Sequence, residues 1–181
     1  MVLKPNGIWD GNPDTFEFVI SGRSDSDYAK EESHKSVSGH RVILNSAPVM
    51  FKSGTQRIVA LSVCEAKLYA GIACAQDMLY VKHVIESLGL KVKLPMIMEM
   101  DNKGAVDLAN NWSVGGRTRH IGTKIEFLRG YKENGIPEVI WKPGCDNDAD
   151  MFTKNLGGPL FHHFAQVFVG EDKYVGSTAP E

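Results

Sequence analysis

The sequence predicts an α/β domain built on a mixed five-strand sheet with helices on both faces. Three observations predict it. Three segments of strand-like character follow one another between residues 16 and 53, a long helical period then runs from about 62 to 88, and beyond it strand-like and helix-like stretches alternate. Consecutive strands joined by short turns make an antiparallel meander, whereas the later strands need helical crossovers. An all-parallel, doubly wound sheet is therefore excluded.

Taken in order, Phe16, Phe18 and Ile20 alternate with Glu17, Val19 and Ser21, a period of two that runs into "SGRSDSD" at 21–27. This first strand delivers Asp25 near its end. "HRVILN" (40–45) and "PVMFKS" (48–53) read as two further strands joined by the turn-forming "NSAP". In the next stretch Ala66, Tyr69, Ile72, Ala73, Leu79, Val84, Ile85 and Leu88 recur at intervals of three and four, which predicts a helix over about 62–88. Ser62 and Glu65 have capping-box spacing, and Gly89 supplies the stop. Pro95 precedes "MIMEMD", whose alternating methionines predict a fourth strand ending at Asp101. A short helix over 103–110, another over 118–134 closed by Gly135 and Pro137, a strand at 138–142 and a helix at 147–154 follow. "PLFHHFAQVF" (159–168) reads as a final amphipathic helix packed on the domain. In such a sheet the first and fourth strands lie side by side, and a cleft forms at their carboxyl ends. Both Asp25 and Asp101 fall there.

With 181 residues, 43% apolar and 23% charged, the chain suits a single domain over 1–181, with a core at about 7–170 and disordered ends at 1–6 and 171–181. No apolar run approaches the ~18 residues that would cross a bilayer, and no secretory leader is visible. An intracellular protein with no membrane partner is the expectation. Cys64, Cys74 and Cys145 show no C-x-x-C spacing, so reduced thiols are expected. Net charge is -2, from 20 basic and 22 acidic side chains, and does not by itself announce a polyanionic partner. The local distribution is uneven: Arg117, Arg119, Lys124, Arg129 and Lys132 cluster with Glu126 as their only acid, while acids concentrate at 25–32 and 146–150. A basic rim around an acidic pocket fits this pattern, and so does a solvated helix face.

Four acids stand at positions that one pocket can share: Asp25, Glu65, Asp101 and Asp150. Each has an ordinary structural explanation alone, Glu65 as half of a capping box, Asp150 at the positive end of a helix dipole and Asp101 in a cap and turn. Together they repel, so their gathering is tolerable only with bound cations. Hard oxygen donors without a Cys/His set point to Mg²⁺ or Mn²⁺. Calcium loops are excluded: "DSDYAKEESHKS" has Lys30, and "DNDADMFTKNLG" has Met151, where an EF-hand needs glycine. No Walker A, G-x-G-x-x-G or G-x-S-x-G sequence occurs.

The segments "SDSDYA", "KSVSGH", "ALSVCEAKLYAG", "MDNKGAVDLANN", "RTRHIGTKIEFLR" and "DADMFTKNL", in this order, resemble the ribonuclease H domain of copia-type LTR retrotransposon polyproteins. The resemblance covers about residues 7–170 and implies the ribonuclease H fold, whose mixed five-strand sheet begins with three antiparallel strands. It implies Asp25, Glu65, Asp101 and Asp150 as metal-binding catalytic carboxylates of an endoribonuclease that cuts the RNA strand of RNA/DNA hybrids. Two Mg²⁺ ions ~3.5–4 Å apart, with Mn²⁺ as a substitute, would serve in-line hydrolysis. Asp25 would bridge them, Asp150 would complete the water-side site, and Glu65, with Asp101 on the other side, would also accept from a ribose 2′-OH. Asn102, Arg117, Arg119, His120 and Lys124 would contact the nucleic acid; His120 as a residue packed at a helix start is an equal reading. Trp112 and Trp141 can stack on bases or pack at the rim. Asp146 and Asp148 tune the field or cap the helix, with Asn147 as a competing cap.

The resemblance further implies a reverse transcriptase domain of the same polyprotein as partner, a monomeric isolated domain, and a cytoplasmic setting within virus-like particles. Two departures stand out. The family's second acid, two residues after the helix Glu, is Lys67 here, and two residues are ~200° around a helix, so Lys67 is expected to point away from the site. The histidine that cellular and retroviral relatives often carry before the last helix is missing from "KPGCDND". Two alternatives remain: a hybrid-holding, weakly active appendage of a reverse transcriptase, or another nuclease of this fold acting on DNA alone.

Overall fold

The computed structural model describes residues 12, 15–29, 34–110 and 122–169. Strands β1 (Glu17–Phe18), β2 (Ile20–Asp27), β3 (Val37–Leu44) and β4 (Ala47–Thr55) precede the long helix α1 (Val63–Ser87). Then come β5 (Lys91–Val92), β6 (Met96–Met100), α2 (Lys103–Asn110), α3 (Gly122–Glu133) and β7 (Pro137–Trp141). Two 3₁₀ turns, Gly144–Asp146 and Asp148–Phe152, lead to α4 (Gly158–Val169). Five strands form one mixed sheet in the order β4-β3-β2-β6-β7. The meander β2-β3-β4 is antiparallel, and β6 runs parallel to both β2 and β7. This is the predicted architecture, with the first and fourth predicted strands adjacent as expected.

Three local differences have physical causes. The predicted first strand is broken at Val19, whose amide N–H donates to Asn45 Oδ1 at 2.8 Å instead of continuing one ladder. Glu17–Phe18 pair instead with β5 in a separate two-strand ribbon. The expected helix at 147–154 is a single 3₁₀ turn over Asp148–Phe152, because Asn147 caps it and Asp148 is drawn down to the sheet. For the helix expected from residue 118, the described part begins at Gly122.

The core lies between the sheet and α1. Met96, Met98 and Met100 all point inward from β6, each at most 1% exposed, against Leu68 and Met78 of α1 and Ile20 of β2. Each such side chain contributes roughly 1.5–3 kcal/mol by leaving water. The helix approaches the sheet closely: a Cβ on Gly22 would stand 2.5 Å from Met78 Sδ and 2.6 Å from Cys74 Sγ, and one on Gly71 2.9 Å from Met100 Cε. These two contacts fix which face of α1 meets the sheet. Gly89, at φ +77°, ends the helix in the left-handed conformation that only glycine adopts freely. Among the described residues no helix is long and apolar enough to cross a membrane.

Candidate active site

Neighbouring parallel strands bring the first two acids together. In the β2/β6 ladder Ser24 stands opposite Met100, so Asp25 and Asp101, the next residues on each strand, emerge side by side at the carboxyl end. Asp25 is 1% exposed. The third acid, Asp150, arrives on the second 3₁₀ turn, and one oxygen from each of Asp25, Asp101 and Asp150 lies within 4.8 Å of the others.

The turn that carries Asp150 is held by a small polar network. Asn147 accepts from the Ala149 amide through Oδ1 and donates through Nδ2 to the Ser24 carbonyl at 3.1 Å. Arg41 donates from Nε to Asp148 Oδ2 at 2.7 Å, with its NH2 group 2.6 Å from the same oxygen. Arg23 donates to the Asp146 carbonyl at 2.9 Å and pairs with Glu99. Gly39 makes room beneath: it is paired with Asp25 across the β2/β3 ladder, and a Cβ there would meet Phe152 Cβ at 2.6 Å and Thr153 Cγ2 at 2.7 Å. Asp148 is thus neither a free field-tuning charge nor a cap. It is the buried anchor of the turn.

Two lysines enter the acidic group. Lys67 Nζ lies 2.5 Å from Asp25 Oδ1 and 2.7 Å from Asp101 Oδ2. Lys154 Nζ lies 2.9 Å from Asp150 Oδ2 and 3.5 Å from Asp25 Oδ2, and the Thr153 hydroxyl donates to Asp25 Oδ2. Burial pushes the Asp25 pKa up, but Lys67, the Thr153 hydroxyl and Lys154 outweigh it and hold the carboxyl below its ordinary value. Asp150 is the opposite case. Burial, together with the charge of Asp25, overcomes the Lys154 hydrogen bond and raises it. Lys154 itself is lowered by burial but raised further by the surrounding carboxylates, Asp150 first.

The expectation that Lys67 points away is corrected here. The ~200° between positions 65 and 67 is sound, but it is Lys67 that faces the triad. Glu65 is not brought into the group: its carboxylate accepts the Leu61 amide at 2.8 Å while its own amide donates to Ser62 Oγ, so it serves the helix start. The predicted fourfold acidic cluster is threefold, and the positive charge that its gathering demands comes in part from the chain itself. A signal for this was present in the sequence. Lys67, Gly71, Cys74 and Met78 form a stripe at intervals of four, three and four, and its small members let α1 approach the sheet.

Among the expected nucleic-acid contacts, Asn102 accepts the Ala105 amide at 2.9 Å as the cap of α2. Lys124 lies 3.8 Å from the centroid of the Tyr69 ring, its pKa lowered by burial against the opposing charge of Glu65. Arg117, Arg119 and His120, with Trp112, lie outside the described residues. Trp141 donates its indole N–H to the Asp101 carbonyl at 3.1 Å and carries Lys103 over its ring, so it braces the rim of the site.

The donor set can be tested for a divalent ion. Asp101 Oδ1 and Asp150 Oδ1 are buried with no hydrogen-bond partner among the described residues, as expected of hard oxygens oriented for a cation. Once Lys154 swings away, one divalent ion fits Asp150 together with the oxygens of Asp25 and Asp101 that Lys67 does not touch. A pair does not fit as the side chains stand, because Lys67 fills the space between Asp25 and Asp101 and Glu65 is engaged elsewhere.

No protein-family model matches the chain. It is 28% identical over 137 residues to the retrovirus-related Pol polyprotein from transposon TNT 1-94 of Nicotiana tabacum, covering 75% of this chain and 10% of that protein. It is 29% identical over 143 residues to the Pol polyprotein from transposon RE1 of Arabidopsis thaliana, covering 78% of this chain and 10% of the relative. The chain therefore spans about a tenth of either relative. In three dimensions it resembles LC11-RNase H1, solved in complex with an RNA/DNA hybrid, with a TM-score of 0.55 at 14% identity over 74% of this chain and 93% of that one. It also resembles the N-terminal RNase H domain of a Mycobacterium tuberculosis protein, with a TM-score of 0.55 at 15% identity over 83% of this chain and 98% of that one. The fold is the ribonuclease H fold.

Proposed function

We propose that this chain, a ribonuclease H-fold domain similar to a segment of the Pol polyproteins of plant transposons, is a hydrolase that cuts the RNA strand of RNA/DNA hybrids during reverse transcription. The observation that carries this reading is the convergence of Asp25, Asp101 and Asp150 within 4.8 Å at the carboxyl ends of adjacent parallel strands. In this reading the three carboxylates hold a divalent ion, Mg²⁺ or Mn²⁺, which when bound supplies an activated water and neutralises charge on the scissile phosphate.

The chain's own residues do the rest. Buried Asp25 is oriented by the Thr153 hydroxyl, and Asp150 is delivered by a turn fastened to β3 through Arg41 and Asp148. A groove of about 530 Å³ between β4, α1 and α3 has Lys52, Arg57 and Lys124 in its walls, cations that suit a phosphate backbone. Arg117 and Arg119 extend that basic character in sequence. The partner in the natural setting is the reverse transcriptase portion of the same polyprotein.

A second reading, a hybrid-holding domain with slow turnover, is favoured by one observation: the Lys67 ammonium between Asp25 and Asp101. Anisotropy with a labelled RNA/DNA hybrid, followed by gel analysis of cleavage in Mg²⁺, tests both. Binding with cleavage of the RNA strand supports the first, and binding without cleavage supports the second. A chain that neither binds nor cuts the hybrid rejects both, and cutting of DNA duplex alone would point to a different nuclease.

A further inference from the structure

We propose that Lys67 is a built-in cation that occupies the Asp25–Asp101 side of the acidic site, excluding a divalent ion there and holding the hydrolytic centre at low metal affinity. This deepens the hybrid-nuclease reading and rests on it only for what the site acts upon. Its ammonium touches one oxygen of each carboxylate, at 2.5 and 2.7 Å, so a divalent ion bridging the same two oxygens would meet a like charge at contact distance.

Lys67 cannot easily step aside. Its neighbours Ala66 and Leu68 are fully buried, and one turn on Gly71 is pressed against Met100, so the helix fixes the Lys67 backbone. The Lys67 side chain is itself only 10% exposed. No acid of α1 replaces it, since Glu65 is ~200° away and engaged with the Leu61 amide.

The opposite side of the site is built differently. Lys154, which covers Asp150, is 36% exposed and sits four residues along the chain from its partner. Its side chain is far less enclosed than that of Lys67, which leaves it a path into water. The site is thus asymmetric: a locked cation between Asp25 and Asp101, and a displaceable one over Asp150. Three carboxylates against two ammonium groups leave a net charge of -1 to attract an ion, and Lys154 must yield before even one ion enters.

Isothermal titration of Mn²⁺ into the wild-type chain, Lys67→Gln and Lys67→Glu tests this without relying on catalysis. Circular dichroism and melting in EDTA establish that each variant is folded. The wild type is expected to take at most one ion. Lys67→Gln, which removes the ammonium without adding an acid, should tighten Mn²⁺ binding at least about tenfold, and Lys67→Glu should tighten it further and add a second ion. Should Lys67→Glu fail to fold, Lys67→Gln and the wild-type stoichiometry still decide. Two ions bound per wild-type chain, or unchanged affinity in folded Lys67→Gln, overturns the proposal. Hybrid affinity of the wild type in EDTA is measured alongside: its loss would sink the nuclease reading while leaving the manganese comparison to stand or fall by itself.

Discussion

Arg41 and Asp148, 107 residues apart in sequence, form a buried pair in which the guanidinium places Nε and NH2 2.7 and 2.6 Å from one carboxylate oxygen. Both side chains are almost fully buried, and Asp148 also has Arg23 3.5 Å away, so removing Asp148 takes the carboxylate from two guanidinium groups in a poorly solvated place. Asp148→Ala is expected to cost roughly 3 kcal/mol in urea unfolding and to loosen the turn bearing Asp150. A loss below about 0.5 kcal/mol would show that the turn is held by other contacts.

Gly39 permits the same turn to lie on the sheet. Gly39→Ala places a methyl group within 2.7 Å of Phe152 Cβ and Thr153 Cγ2, and should destabilise the domain by about 1–3 kcal/mol while weakening Mn²⁺ binding. Gly54→Ala on β4 is the control, since nothing lies within 4 Å of its Cβ, and it should change stability by less than about 0.5 kcal/mol. Equal effects at the two positions would contradict the steric account.

Asp150 and Asp25 respond to pH with opposite sign. Asp25 has a folded pKa below its unfolded value, so its contribution is present at neutral pH and is lost as pH falls through the folded pKa. Asp150 has a raised folded pKa, so ionisation penalises the fold once pH rises through it. Asp150→Asn should therefore stabilise the metal-free protein at pH 7 by about 0.5–1 kcal/mol while abolishing Mn²⁺ binding, and the gain should vanish below about pH 4. A variant less stable than wild type at pH 7 would count against the raised pKa.

The three cysteines are free and differ sharply in access, with Cys145 exposed and Cys74 buried. Burial pushes the Cys74 thiol up to about 12, so it has almost no thiolate at pH 8. Iodoacetamide at that pH should label Cys145 within minutes and Cys74 only after unfolding, as read by peptide mass spectrometry. Early modification of Cys74 would mean that α1 lifts from β2.

Much of the fold was legible because it follows from period and topology. Alternation in "MIMEM" marked β6, and a meander followed by a crossover put that strand beside β2, which sufficed to bring Asp25 and Asp101 together. The break at Val19 was hidden, since it depends on the side chain of Asn45, 26 residues away. The 3₁₀ form of 148–152 was likewise hidden, because propensity there yields to the long-range pull of Arg41 on Asp148. The rotational phase of α1 was the costly omission. Periodicity separates Glu65 from Lys67 by more than half a turn, but only the small residues Gly71 and Cys74 reveal which of the two looks at the sheet.

Anomalous scattering from manganese-soaked crystals of the wild type and Lys67→Glu locates the bound ions directly. Wild-type crystals should hold no manganese bridging Asp25 Oδ1 and Asp101 Oδ2, the oxygens that Lys67 occupies, and the glutamate variant should hold an ion there. A manganese peak bridging those two oxygens in the wild type, with the Lys67 ammonium swung aside, would contradict the account.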